Sequence, residues 1–417
     1  MWKLIILIFC TSVSLVVAEQ ATFNNYKVFK INATTHMQAK KLNELANVHD
    51  GFSFWIPPFV NKQAELMVAP HKLSEFFEIM AQIKAPYKVF IENVQALINR
   101  AVPAKMSTTF DFNSYHVLET IYKNLDDLEK LYPNQVQTIV GGKTHEGRQI
   151  KGVKLSFKPN NPAVFIEGGI HAREWISTAV VMYILHQLLK SNNPEIRALA
   201  ESNDWYIFPS FNPDGYVYTH TKNRLWRKTR KPYGLGCFGS DPNRNWGYKW
   251  NEGGSSNFPC SETYAGSAPF SEIETQSMSK YISTISNKLY AYIAFHSYSQ
   301  LLLFPYGHTI AHLDNYDDLY NIGKKAITAL SKRYGTTYTV GNVAETIYVA
   351  SGGSMDWVKG NYGTPITYTY ELRDQGRYGF LLPPNQIIPT GEETMDSLLA
   401  MFKESKARGY PKKIRKH

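Results

Sequence analysis

The chain has 417 residues, 43% hydrophobic and 19% charged, which excludes an intrinsically disordered protein and exceeds what one ordinary domain holds. The formal net charge is +10, much of it in the basic C-terminal run Lys403 to Lys416. No nucleic-acid-binding motif accompanies that charge, so it reads as solvated surface and no nucleic-acid partner is expected.

In chain order, Lys3 followed by the apolar runs Leu4 to Phe9 and Val13 to Val17 forms a secretory signal pattern. Val16 and Ala18 satisfy the small-residue cleavage rule, so residues 1–18 are expected to be removed and the product to be secreted and extracellular. Thr11, Ser12 and Ser14 break the run well short of the ~20 apolar residues of a membrane span. Cys10 leaves with the signal, and Cys237 and Cys260 remain as an even pair for which a disulfide is the default in an oxidising compartment. Their spacing excludes a CxxC-type metal site. Asn32-Ala33-Thr34 is an N-glycosylation sequon.

Residues 19–105 read as a small separate unit. Alternation predicts strands at Tyr26–Ile31, Phe52–Ile56, Glu65–Val68 and Tyr87–Ile91, with helical spacing at His36–Val48 and Leu73–Ile83. Strand-helix-strand-strand-helix-strand is the pattern of an α+β open sandwich. Asn93–Val102 reads as a connecting helix, and Arg100 or Lys105 offers a basic site for a trypsin-like protease between this unit and the next.

From residue 106 to 417 the pattern changes. A helix is predicted over Ser114–Leu131, and helices alternate with apolar strands at Val136–Val140, Ile150–Phe157, Ala163–Glu167, Trp205–Phe208, Tyr290–Phe295 and Pro365–Leu372. This predicts one large α/β domain with a mixed, mostly parallel sheet flanked by helices, its ligands held beyond the strand C-termini.

Ala163 to Trp175 is a buried strand, a Gly-Gly turn and a helix start, so His171 and Glu174, three apart, can face one point. The pair His116 and Glu119 has the same spacing inside an amphipathic helix and reads as surface or packing. His296 ends the apolar strand Leu289–Phe295 and supplies a third candidate. Two imidazoles and a carboxylate suit a catalytic zinc, which keeps three protein ligands and one open position.

The stretches His171-Ala-Arg-Glu-Trp175, Asn223-Arg-Leu-Trp-Arg-Lys-Thr-Arg230, Asp241-Pro-Asn-Arg-Asn-Trp246, Cys260-Ser-Glu-Thr-Tyr264, His296 to Leu303, Ile347 to Ser354 and Glu371 to Phe380 follow one another across the large domain. In that order they resemble the funnel-type zinc metallocarboxypeptidases, the pancreatic and digestive carboxypeptidase A and B group, and the first unit resembles the family's inhibitory pro-domain. The resemblance implies a proenzyme that removes single residues from the C-termini of peptides and proteins. It implies one Zn²⁺ held by His171, Glu174 and His296. Glu371 takes the place of the carboxylate that activates water, and Arg227 that of the residue polarising the scissile carbonyl. Asn243, Arg244 and Tyr348 match the holders of the substrate carboxylate, and Arg173 and Arg224 secondary arginines along its route. Asp241 matches the partner of the first zinc histidine, and Cys237 and Cys260 the group's disulfide.

The same alignment of motifs places Met355 at the base of the specificity pocket, with Leu303, Gly307, Val343, Ile347, Ala350 and Thr369 as its wall. A cationic side chain would meet no counter-charge there, so aromatic or aliphatic C-terminal residues are the expected substrates. The alternative is B-like removal of Lys or Arg, were the neighbouring Asp356 to supply the charge through a one-residue slip. An activating trypsin-like protease and proteinaceous carboxypeptidase inhibitors are the implied partners, and a monomer is the expected state. A zinc endopeptidase is disfavoured because His-Glu-x-x-His is absent, and a non-catalytic relative because no ligand position is replaced.

Overall fold

The computed structural model describes residues 19–45, 50–102, 107–234 and 236–411. The signal segment and Lys105 therefore lie outside the described residues. Among the described residues no helix is long and apolar enough to cross a membrane.

The N-terminal unit contains β1 (Lys27–Ala33), α1 (His36–Leu45), β2 (Phe52–Ile56), β3 (Lys62–Val68), α2 (Leu73–Ile83), β4 (Tyr87–Ile91) and α3 (Val94–Ala101). Its four strands pair antiparallel in the order β2-β3-β1-β4. Period-two alternation turns Phe29 and Ile31 of β1 toward α1 and α2, where Leu42, Phe76 and Met80 close a core. The opposite face is also apolar: Val28, Trp55, Met67 and Ile91, with Val94 and Ile98 of α3, pack on Leu225, Tyr298, Phe380 and Leu381 of the large unit. A sheet apolar on both faces cannot leave one in water without cost, so this unit is built to be covered.

The large unit runs through α4 (Leu118–Leu131), β5 (Val136–Lys143), β6 (Gln149–Leu155), β7 (Ala163–Gly168), α5 (Trp175–Lys190), α6 (Pro194–Glu201), β8 (Asp204–Phe208) and α7 (Pro213–Thr221). It continues with α8 (Ile273–Ile285), β9 (Leu289–Ser297), β10 (Leu301–Phe304), α9 (Tyr316–Tyr334), β11 (Thr339–Asn342), α10 (Val343–Thr346), α11 (Ser354–Tyr362), β12 (Ile366–Leu372) and α12 (Ile387–Ala407). The eight strands lie in the order β11-β10-β12-β9-β7-β8-β6-β5. The four central strands β12, β9, β7 and β8 are parallel, and antiparallel pairings begin where β10 and β6 join. Every residue of β7, β8 and β9 is buried, as expected of strands covered on both faces. On one face α5 and α12 close the core; on the other, Phe165, Tyr292 and Ala294 meet Met278, Trp357 and Val358.

The helix predicted from Ser114 begins at Leu118. Asp111 Oδ1 instead accepts the Asn113 N–H and the Ser114 hydroxyl, holding those residues in a turn. His116 lies just before α4, buried, with its Nε2 against Asp111 and its ring on Phe110. It is a packing residue. Cys237 and Cys260 are joined in a disulfide.

Candidate active site

The site lies at the C-terminal ends of the central parallel strands. Gly169 follows β7 with φ +65°, and a Cβ there would stand 2.7 Å from Thr178 Oγ1, so glycine is required for the turn that aims His171 and Glu174 inward. His296 lies near the end of β9, and its register partner on β12 is Glu371. Paired residues on parallel strands share a face, which sets the Glu371 carboxyl beside the histidine cluster.

His171 Nδ1 lies 2.8 Å from Glu174 Oε1, His296 Nδ1 lies 3.2 Å from Glu174 Oε2, and the two Nδ1 atoms are 3.1 Å apart. All three residues are buried. Two imidazole nitrogens on one tetrahedral zinc stand about 3.3 Å apart if each bond is ~2.05 Å, so the donor set fits that ion in kind and spacing. The Ser297 N–H donates to Glu174 Oε2 at 3.2 Å and steadies the carboxylate.

Asp241 holds two partners at once. Its Oδ1 is 3.0 Å from His171 Nε2, while its Oδ2 accepts from Arg227 Nη2 at 2.8 Å and Nε at 3.2 Å. Burial would raise the Asp241 carboxyl, but Arg227 and His171 override it and hold it well below the usual carboxylate range. Burial would likewise lower Arg227, yet Asp241 and Glu174 keep it firmly protonated. The link to His171 was read from the motif; the link to Arg227 was not, because 14 residues of loop separate the two in sequence. Burial, reinforced by the Glu174 charge, pushes the Glu371 carboxyl up to about 8 in the metal-free chain.

A cavity of about 310 Å³ opens from this cluster. Every predicted ligand, catalytic, carboxylate-holding and pocket residue lines it, with the exception of Arg173 and Arg224. Arg244 donates Nε to Gly254 O and Nη1 to Asn243 O, which fixes its guanidinium plane at the wall. Asn243 Oδ1 accepts the Ser354 N–H at 3.0 Å. At the other end, Thr369 Oγ1 donates to Met355 Sδ at 3.4 Å, and Gly307 has no room for a side chain, since a Cβ would meet Ala350 O at 2.5 Å. The Asp356 carboxylate is committed elsewhere: it accepts the N–H groups of Gly307 and His308 and pairs with His308 Nδ1. Asp356 lines the cavity beside Met355, with its carboxylate oxygens taken up by those partners.

The two remaining arginines sit differently from the expectation. Arg224 is fully buried, stacks on Trp175 and donates to the carbonyls of Arg173 and Phe380, so it braces the wall and does not line the cavity. Arg173 is buried too, stacked on Phe380 and paired with Glu262.

The N-terminal unit lies against the cavity and contributes Trp55, Ile56, Pro57, Phe59, Lys62 and Gln63 to its lining. The Phe59 ring stacks on Tyr348 at 4.7 Å and 11°. Lys62 Nζ donates to the carbonyls of Glu345 and Thr346 in α10. Glu65 is 1% exposed; it accepts from the Tyr298 hydroxyl and pairs with Lys30 at 3.3 Å. These contacts had no signal in the sequence, where Glu65 reads as one residue of an alternating strand.

The model of the zinc carboxypeptidase family matches residues 121–397, and that of the carboxypeptidase activation peptide matches residues 29–101. The chain belongs to the zinc carboxypeptidase family. It is 48% identical to zinc carboxypeptidase A 1 of Anopheles gambiae over 98% of this chain and 96% of that one. The crystal structure of carboxypeptidase A from Helicoverpa armigera superposes with a TM-score of 0.83 at 29% identity, covering 93% of this chain and 99% of that one. Bovine thrombin-activatable fibrinolysis inhibitor, solved in complex with tick carboxypeptidase inhibitor, matches at TM-score 0.68 and 34% identity over 71% of this chain and 99% of that one. This zinc carboxypeptidase is therefore a peptide hydrolase with an A-like family background, and His171, Glu174 and His296 are its zinc-binding triad.

Proposed function

We propose that this carboxypeptidase is a secreted zymogen that hydrolyses the last peptide bond of its substrates and prefers aromatic or aliphatic C-terminal residues. The observation that carries the reading is the content of one cavity. It joins the zinc triad, a three-residue donor set for a terminal carboxylate and an apolar end at Met355.

Zinc, when bound, supplies a Lewis acid that polarises a carbonyl and lowers the pKa of water at the open position. The chain's own groups do the rest. Arg244 meets the substrate's terminal carboxylate with its planar fork, and Asn243 and Tyr348 add donors, which restricts the reaction to a free C-terminus. The terminal side chain enters the space between Met355 and Gly307. Arg227, fixed by Asp241, faces the scissile carbonyl oxygen and stabilises the negative charge that develops on it. Glu371 takes a proton from the attacking water and passes it to the leaving amine.

The N-terminal unit holds the proform inactive by occupying the cavity mouth and stacking Phe59 on Tyr348. Of the two basic sites for activation, Lys105 is favoured. Arg100 lies in the last turn of α3, where Val102 N–H still donates to Ile98 O, and proteases take extended backbone. Tight-binding protein inhibitors would enter the same mouth once that unit is gone.

The test is to treat the purified proform with trypsin and follow matched peptides ending in Phe, Leu, Arg or amidated Phe, with and without a zinc chelator. Chelator-sensitive release of Phe and Leu with the amide untouched is the expected result. Release mainly of Arg would overturn the pocket reading, and cleavage of the amide would overturn the exopeptidase reading.

A further inference from the structure

His171 has an evident holder for its outer nitrogen in Asp241; among the described residues His296 has none. His296 Nε2 is buried and without a hydrogen-bond partner. A metal-binding imidazole ordinarily donates its second N–H, and that bond fixes the ring and raises its basicity. A second orphan lies nearby. Glu167, 0% exposed at the end of β7, uses Oε1 to accept the Ser354 hydroxyl at 2.9 Å, while its Oε2 is buried with no well-formed hydrogen bond, although the equally unsatisfied Tyr292 hydroxyl lies close enough to lower its carboxyl.

Strand register brings the two together. Glu167 pairs with Ala294 across the parallel β7–β9 ladder, and Ala294 and His296, two apart on β9, share its face. The residue between them presents only a methyl group, and the carboxylate and the imidazole, on one face of the sheet, are near enough for each to influence the other's ionisation. Polar atoms buried without partners are costly unless something bridges them, and a site with two or more polar partners suits one water.

We propose that Glu167 is the positioning residue for His296, acting through one buried water that accepts from His296 Nε2–H and donates to Glu167 Oε2. Its other oxygen extends the same device to the substrate side. Ser354 donates its hydroxyl to Glu167 and its N–H to Asn243 Oδ1, which turns the Asn243 amide N–H groups toward the cavity. One buried carboxyl thus sets the second zinc histidine with one oxygen and the carboxylate-binding asparagine with the other. The inference rests on His296 as a zinc ligand and on Asn243 as a substrate anchor.

The experiment uses the full-length proform and its trypsin-activated product. Zinc affinity is measured by competition with a chromogenic chelator for wild type, Glu167→Leu, Glu167→Gln and Ser354→Ala, with His296→Ala as the control. Glu167→Leu is expected to weaken zinc about 10- to 100-fold, Glu167→Gln less, and Ser354→Ala not at all while raising KM. In the Co²⁺-loaded proform, Glu167→Gln should shift one of the two exchangeable imidazole N–H resonances and leave the other in place. That readout holds even if Glu167→Leu fails to fold. Wild-type zinc affinity in a folded Glu167→Leu, or two unmoved resonances in Glu167→Gln, would overturn the proposal. Unchanged affinity in His296→Ala would instead overturn the ligand assignment beneath it.

Discussion

The floor and the lid of the cavity are held by opposite means. On the floor, charged groups are buried and each is tied to strand ends or strand-end turns: Glu174 to Ser297 and both histidines, Asp241 to His171 and Arg227. The lid is held mainly by aromatic surface, with Trp55 against Phe380 and Phe59 on Tyr348, and one buried carboxylate, Glu65, at its edge. A site that must act needs fixed dipoles, and a cover that must leave needs contacts that water can replace.

The largest effect expected falls on the floor. Glu371→Gln should lower kcat of the activated enzyme about 10²- to 10⁴-fold while zinc content, measured by atomic absorption, stays at one per chain. Loss of zinc along with activity would mean that Glu371 belongs to the metal site. Next comes the pocket. Met355→Asp should lower kcat/KM for a C-terminal Phe substrate about 100-fold and raise it for Arg, because a buried carboxylate rejects an apolar side chain and pairs with a cation. Retained preference for Phe would move the pocket base elsewhere.

The lid should respond more mildly. Trp55→Ala or Phe59→Ala should give the uncut proform measurable activity on a short Phe-ending peptide, several-fold above wild type. An inert variant would show that aromatic contact does not govern the cover.

Protonation separates the two regions again. Burial raises Glu371, and Glu174 raises His296 against the pull of burial, so the metal-free floor holds protons near neutrality that a dication must expel. Zinc binding at pH 7 should therefore release protons and tighten as pH rises, which calorimetry in buffers of differing ionisation enthalpy would detect. In the lid, burial raises the Glu65 carboxyl above its usual value despite Tyr298 and Lys30. A raised carboxyl favours the docked state below its unperturbed pKa and loses that contribution as pH rises through the docked value. The proform's melting temperature should show this as a small decline with pH that Glu65→Gln removes.

Much of the floor was legible in the sequence because strand-end motifs carry it: His171 and Glu174 follow a Gly-Gly turn, and His296 closes an all-apolar strand. The small sheet and six of the eight strands of the large one were foreshadowed by period and alternation as well, whereas β10 and β11, four residues each, are too short to show either. The lid's contacts were not, because Glu65 and Phe59 matter only through a surface hundreds of residues away. The burial of Arg224 had no signal for a related reason. Its neighbours in sequence line the cavity, but Trp175 and two carbonyls draw its own guanidinium into the wall. The start of α4 was missed because the Asp111 turn competes locally with the helix.

Asp241 has a consequence for anyone redesigning this site. The metal's histidine and the guanidinium facing the scissile carbonyl share a single counter-ion. Exchanging the metal for one of different charge demand, or altering Arg227 to accept another electrophile, redistributes the same negative charge. Effects of such changes will not add, and a variant selected for one property will carry a debt in the other.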